Sequence, residues 1–255
     1  MNARRFALLA ALGLTSLALL GLDFAAGGRA CARDELACAR VRAQETTVDL
    51  AGARAALERL AKAMEKVERL RARYTQRQES LLLAEPILSK GTLHLRADPG
   101  CILLELGGER IVRVRSDAKS HQVYWPEEKR AERWLFRSNE LARALLRCFS
   151  ADVRRMEEVF EIRGYTRGEL VSEVVLTPRD SKLHRYLASL KLSLDSASSQ
   201  LVALAHENAE GEHVRFELAD VDLDPDAKLE DALLDEPLPK EVRLLVHEVK
   251  DPLGK

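Results

Sequence analysis

The fold class follows from the stretch Gly91-Thr92-Leu93-His94-Leu95-Arg96, in which apolar and polar residues alternate. Side chains on a β-strand point alternately to its two faces, so this pattern predicts a strand with one buried face. The turn residues Asp98-Pro99-Gly100 follow, and then a second apolar run at Cys101–Leu106. Gly107-Gly108 is typical of a tight hairpin, and Arg110–Arg115 alternates again. The middle of the chain is therefore predicted to be an antiparallel meander.

More strands are predicted on both sides of one helical insertion. The insertion begins at Ser138, a residue suited to a helix N-cap, and carries Leu141, Leu145 and Phe149 at helical spacing. Short alternating segments lie at 121–125, 130–136, 159–163, 169–177, 186–194, 200–208 and 213–221. Many short strands with turn signals between them predict a mainly β, α+β fold built on an antiparallel sheet that curls or closes.

One helix is predicted before the strands. Leu50, Leu57 and Met64 recur at intervals of seven, and Ala53 and Leu60 fill alternate positions, which gives one apolar stripe. A coiled coil is the competing interpretation, but three repeats are too few to favour it. We therefore expect this helix to lie on the sheet.

The N-terminal residues have the features of an export signal. Arg4 and Arg5 precede an apolar run at 6–22, and Ala30-Cys31-Ala32 supplies the small residues of a cleavage site; Ala25-Ala26-Gly27 is a second option. The apolar run is near the lower length limit for crossing a bilayer, so a retained anchor is the alternative. We predict a periplasmic protein with a signal peptide at 1–32, a flexible lead-in at 33–48 and one domain at 49–255.

Composition and motifs argue against several functions. The 40 Lys and Arg residues balance 41 Asp and Glu, and aromatic residues make up 5% of the chain, which disfavours nucleic-acid binding. No phosphate-binding loop or nucleophile elbow is present, and His206 and Glu210 fall in a strand and turn rather than on a zinc-binding helix. We predict no enzymatic activity, no metal and no cofactor.

The mature chain would keep Cys38, Cys101 and Cys148. One disulfide with one thiol left over is compatible with an oxidising compartment, and three buried free thiols is the interpretation that we favour.

Four short motifs occur in an order and spacing shared with a known family. They are Tyr74-Thr75-Gln76, Gly91–Arg96 followed by Pro99, Val123-Tyr124-Trp125-Pro126, and Leu176-Thr177-Pro178. Over about 57–242 the chain resembles the LolA-type periplasmic outer-membrane lipoprotein carriers. The resemblance implies a single incomplete, strongly curved antiparallel β-barrel with helices covering its mouth. It also implies a monomeric carrier of lipidated proteins, with a releasing complex at the inner membrane and an acceptor at the outer membrane.

The resemblance also implies a hydrophobic cavity. Positions that match the family's cavity strand are Ile102, Leu104 and Leu106, although Leu103 breaks strict alternation. Further lining candidates are Leu93, Leu95, Val112, Val114 and Trp125, with Leu57, Leu60 and Met64 on the lid helix. The family has a basic residue directly before the Pro, where this chain has Ala97-Asp98, so Arg96 is the candidate lid latch. Ordinary core is the alternative role for each apolar residue.

Two other functions stay open at this stage. The first is a carrier with the same fold whose cargo is another lipid or a hydrophobic metabolite. The second is a periplasmic sensor or interaction module that uses the same half-barrel. A void between the sheet and the first helix is expected of the carriers, and a filled core is expected of the module.

Overall fold

The computed structural model describes residues 49–80, 84–98, 100–107, 111–136, 153–184 and 187–249. The predicted signal peptide and lead-in, the helix predicted from Ser138, Cys38 and Cys148 lie outside these residues. The elements in chain order are α1 (Leu50–Met64), β1 (Arg69–Glu79), β2 (Ile87–Arg96), β3 (Cys101–Gly107), β4 (Val112–Asp117), β5 (Ser120–Trp125), β6 (Arg130–Phe136), α2 (Val153–Val159), β7 (Phe160–Thr166), β8 (Val171–Pro178), α3 (Ser181–His184), β9 (Ser189–Asp195), β10 (Leu201–Glu207), β11 (His213–Asp222), α4 (Ala227–Leu234) and β12 (Arg243–Val249).

All twelve strands belong to one sheet, in the order β12-β6-β5-β4-β3-β2-β1-β11-β10-β9-β8-β7. Neighbouring strands pair antiparallel except for β12, which lies parallel to β6. Strands β12 and β7 stand at the two ends of this order, so the described sheet is curled but open. The predicted fold class, an incomplete antiparallel barrel with helices, is confirmed.

Helix α1 begins where the sequence predicts. The Asp49 side chain accepts a hydrogen bond from the Gly52 backbone N–H at 2.8 Å, which satisfies one of the free donors of the first turn. The buried face of the helix consists of Ala53, Ala56, Leu57, Leu60, Ala61 and Met64. This face packs against β7, β8 and α2, so α1 is a helix laid on a sheet, as predicted.

Strand β1 was not predicted. Its side chains at Leu70, Ala72, Tyr74, Gln76 and Gln78 are buried, and those between them are more exposed. Two of the five buried residues are glutamines and one is alanine, so apolar alternation gives little sign of the strand. The pairing of β1 with both β2 and β11 supplies its backbone hydrogen bonds.

The C-terminal part of the chain also differs from the prediction, which assigned no regular structure to residues 227–241. Helix α4 begins after Asp226, whose side chain accepts hydrogen bonds from the Lys228 and Leu229 backbone N–H groups at 3.0 Å. The chain then reaches β12, whose Arg243 pairs with Arg130 and whose Val249 pairs with Phe136. The parallel β12–β6 pair is the one exception in the otherwise antiparallel described sheet.

The sheet has two buried faces of unequal size. The inner face, which we define as the face on the side of α1, carries the main hydrophobic cluster of the protein. The outer face is covered near β3 by α4, where a smaller cluster contains Cys101, Leu103, Leu233 and Leu234. Cys101 is a buried free thiol. Among the described helices, none combines the length and apolar character needed to cross a membrane.

Candidate functional site

The inner face of the sheet has a continuous aliphatic lining. The structure brings every apolar residue of the predicted cavity and lid into one buried cluster, namely Leu57, Leu60, Met64, Leu93, Leu95, Ile102, Leu104, Leu106, Val112, Val114 and Trp125. Their common location agrees with the pattern of the sequence, and their role as a ligand-binding wall stays a prediction.

Strand register explains why the lining is continuous. Leu93 lies opposite Leu104, Leu104 opposite Val114, and Val114 opposite Val123, which forms one apolar row across β2, β3, β4 and β5. Adjacent strands are about 4.8 Å apart, so aliphatic side chains in such a row touch. Leu103 points to the outer face, where it packs near Leu234 of α4. The break in alternation at Leu103 is therefore a residue buried on the other side.

A polar pair interrupts the inner face where β4 turns into β5. Ser116 Oγ lies 2.7 Å from His121 Nδ1, and both residues are buried. Complete burial lowers the pKa of His121 to about 4, so its ring is neutral at pH 7. The pair therefore adds polarity to the lining without adding charge.

The predicted lid helix is held from one side of the sheet. Helix α1 packs on β7, β8 and α2, far from β3 and β4 in the strand order. Its polar link is the ion pair of Arg54 with Glu157 at 2.7 Å, in which the Arg54 side chain is 59% exposed. Exposed ion pairs stabilise weakly, so apolar contacts hold this helix in place.

Arg96, the predicted lid latch, lies on the outer face instead of beside α1. Its Nη1 and Nη2 atoms donate to the two carboxylate oxygens of Asp235 at 2.8 and 2.9 Å. Arg69 makes a similar contact with Asp231 of α4, at 2.7 and 3.1 Å. These charge-assisted bonds lower the pKa of both aspartates, chiefly through Arg96 for Asp235 and through Arg69 for Asp231. In the structure, Arg96 thus anchors the end of α4 to the sheet.

A buried histidine completes the attachment of α4. His94 Nδ1 lies 2.7 Å from Glu230 Oε2, and its Nε2 lies 3.5 Å from Glu105 Oε2. Burial works against protonation of His94, but the contacts with Glu105 and Glu230 outweigh it and raise its pKa. The pKa of Glu105 is lowered by His94 and Arg113, against the effect of burial. When protonated, His94 is a charged group between two carboxylates and joins β2, β3 and α4.

We expect protein stability to fall as the pH rises from about 6.5 towards 9. A raised histidine pKa contributes stability that is complete below the unfolded value of about 6.5 and is lost above the folded value. The lowered pKa of Glu105 acts in the other direction and removes stability as the pH falls below about 4.3. Burial of neutral His121, whose pKa is lowered to about 4, also removes stability as the pH falls below about 6.5. Thermal unfolding midpoints measured from pH 4 to 9 should therefore be highest near pH 6.5. His94→Gln should flatten the alkaline decline, and His184→Gln, at an exposed position, should leave it unchanged.

A cavity of about 200 Å³ lies on the outer face, between β3–β5 and the segment that follows α4. Its walls include Leu103, Ile111, Tyr124, Leu233, Leu234, Pro237 and Leu238, with Arg113 and Arg115 among the polar groups. Arg113 pairs with Glu236 at 2.6 Å and with Glu105 at 2.9 Å. Arg113 and Arg115 therefore line a cavity beneath a covering segment.

Within the described residues, no cluster of three histidine, cysteine or acidic side chains could hold a metal ion. What the site offers chemically is a large surface for non-directional burial of apolar groups, together with a few buried polar groups.

No family model matches the chain, and no curated protein matches it. Solved structures do match, at low sequence identity. An uncharacterized conserved protein from Thermus thermophilus is 10% identical, with 77% of this chain and 99% of that chain covered and a TM-score of 0.47. A LolA superfamily protein from Nitrosomonas europaea is 11% identical, with 69% and 96% covered and a TM-score of 0.37.

A third match is one chain of the MucA/MucB complex from Pseudomonas aeruginosa, at 19% identity and a TM-score of 0.38. The match covers 76% of this chain and 63% of that chain. These likenesses concern the fold. Among these similar structures, the Nitrosomonas europaea protein bears the name of the family that the sequence motifs resemble.

Proposed function

We propose that this protein binds acyl chains on the inner face of its sheet and carries lipidated proteins from the inner to the outer membrane. The observation that supports the proposal best is the aliphatic lining of β2–β4, which belongs to the same buried cluster as the apolar face of α1, while α1 itself packs at β7 and β8. A cover held from one side can move away from such a surface without breaking the sheet.

The energy of burial fits this role. An acyl chain gains about 0.8 kcal/mol for each buried CH₂ group, or on the order of 10 kcal/mol for a whole chain. Leu104 is 3% exposed and Ile102 is 7% exposed, so cargo must displace side chains that already pack together. Exchange of one apolar contact for another needs no chemical step, and an acceptor with a better cavity completes transfer. In this proposal the donor is an inner-membrane releasing complex and the acceptor lies at the outer membrane.

A second candidate is a periplasmic interaction module that binds a protein. Two observations favour it: Ile102, Leu104 and Leu106 are buried as in a filled core, and the 200 Å³ cavity lies on the outer face. A carrier for another lipid or a hydrophobic metabolite would use the same inner surface as the first proposal.

A single binding experiment separates these functions. The purified protein is mixed with a triacylated lipopeptide or with the same peptide without its acyl chains, and complexes are resolved by size-exclusion chromatography. We expect co-elution with the acylated peptide alone. Co-elution with both peptides would favour the interaction module, and co-elution with neither would contradict lipoprotein carriage. In the last case, mass spectrometry of lipids extracted from the purified protein would test the other cargoes.

A further inference from the structure

Tyr74 has a buried hydroxyl group that the fold does not use. The residue lies on β1, near the middle of the strand order, and is 3% exposed. Its Oη atom is buried and has no hydrogen-bond partner among the described residues. Burial of an unpaired hydroxyl is unfavourable, and most buried polar groups in proteins are paired, so this group is a candidate for contact with a ligand.

The hydroxyl group lies beside a glycine on the inner face of the sheet. Gly91 lies directly across from Tyr74 on β2, and a Cβ atom at Gly91 would stand 2.9 Å from Tyr74 Oη. The hydroxyl therefore lies over the glycine, where a side chain would otherwise be, and points towards the lining of β2 and β3. The ring is fixed from the other side by Phe216, edge to face at 5.7 Å between centroids.

Polarity changes along β1 at this residue. Leu70 and Ala72 precede Tyr74 on the inner face, and Gln76 and Gln78 follow it. All five side chains are buried, and the Gln78 amide donates to Glu212. The inner face therefore passes from aliphatic to polar across Tyr74, which matches a ligand with an apolar tail and a polar head.

We propose that the Tyr74 hydroxyl donates a hydrogen bond to the ester or amide carbonyl of an acylated ligand. The acyl chains then run along Leu93 and Leu95, and the polar head faces Gln76 and Gln78. This inference rests on the acyl-binding function proposed above. Burial, with a smaller contribution from Glu105, raises the pKa of Tyr74, so the phenol keeps its proton at every physiological pH.

The test compares two ligands that differ in the carbonyl groups. One lipopeptide carries two ester-linked palmitoyl chains, and the other carries two hexadecyl chains of the same length through ether bonds, which lack the carbonyl. Tyr74→Phe is expected to lower affinity for the ester ligand about three- to tenfold and to leave affinity for the ether ligand unchanged. Tyr124→Phe, on the outer face beside the 200 Å³ cavity, is the matched control and should change neither affinity.

The possible results are distinct. Tyr74→Phe removes an unpaired buried hydroxyl, so we expect the thermal midpoint of this variant to equal or exceed that of the natural protein. Such a midpoint would exclude misfolding as the cause of a lower affinity. Equal losses for ester and ether ligands, or no loss for either, would overturn the carbonyl contact while acyl binding stands. Failure of the natural protein to bind either lipopeptide would instead overturn the proposed function.

Discussion

Replacing His94 by leucine is expected to lower the free energy of unfolding by about 3–5 kcal/mol. The substitution leaves the Glu230 carboxylate 4% exposed and without its partner, because His94 Nδ1 is 2.7 Å from Glu230 Oε2. Removing one member of a buried ion pair is costly because the other charge stays in a poorly solvating environment. Denaturant unfolding at pH 6, where His94 is charged, measures the effect.

The double substitution His94→Leu/Glu230→Leu separates loss of the ion pair from loss of packing. Removing both charges together leaves no unpaired group, so we expect the double variant to recover most of the stability lost by His94→Leu. His184→Gln, on the exposed side of α3, is the control and should stay within about 0.5 kcal/mol of the natural protein. A double variant as unstable as the single one would show that the histidine acts by shape and not by charge.

The sequence predicts the strands of the sheet better than it predicts helix α4, which covers the outer face. Strands β2–β5 have alternating residues and turn signals between them, so local chemistry alone indicates them. The attachment of α4 depends on pairs such as His94 with Glu230 and Arg96 with Asp235, which are more than 130 positions apart. Their one sequence signal is an acidic segment late in the chain that matches basic residues on the polar face of β2. Charge alone does not predict which acidic residue pairs with which basic residue.

The inner lining was predictable because a strand has only two faces. Once Leu93 and Leu95 are assigned inwards, the register of β2 with β3 places Leu104 and Ile102 on the same face. The unused hydroxyl of Tyr74 was not predictable, because it depends on the absence of a partner across three strands. Polar residues such as Gln76 inside β1 hid that strand from a search for apolar alternation.

Leu103 and Leu104 allow the location of cargo to be tested with adjacent residues of the same type. Leu103 is 4% exposed and packs towards α4, and Leu104 is 3% exposed and belongs to the inner cluster. Truncation of either residue to alanine should lower the free energy of unfolding by about 2–5 kcal/mol, because each leaves a void in a packed cluster. We therefore expect the two alanine variants to lose similar stability and to differ in their binding of the lipopeptide.

Contact with cargo is measured by placing a photo-crosslinking benzoylphenylalanine at each position in turn. We expect position 104 to capture a triacylated lipopeptide, because it lies in the centre of the aliphatic row formed with Leu93 and Val114. Position 103 should not, because its side chain lines the 200 Å³ cavity on the opposite face. Capture from position 103 alone would move the cargo to that cavity, where Arg113 and Arg115 would favour an anionic head group over a bare acyl chain. The face of β3 that captures the lipopeptide therefore indicates whether the protein recognises acyl chains or an anionic head group.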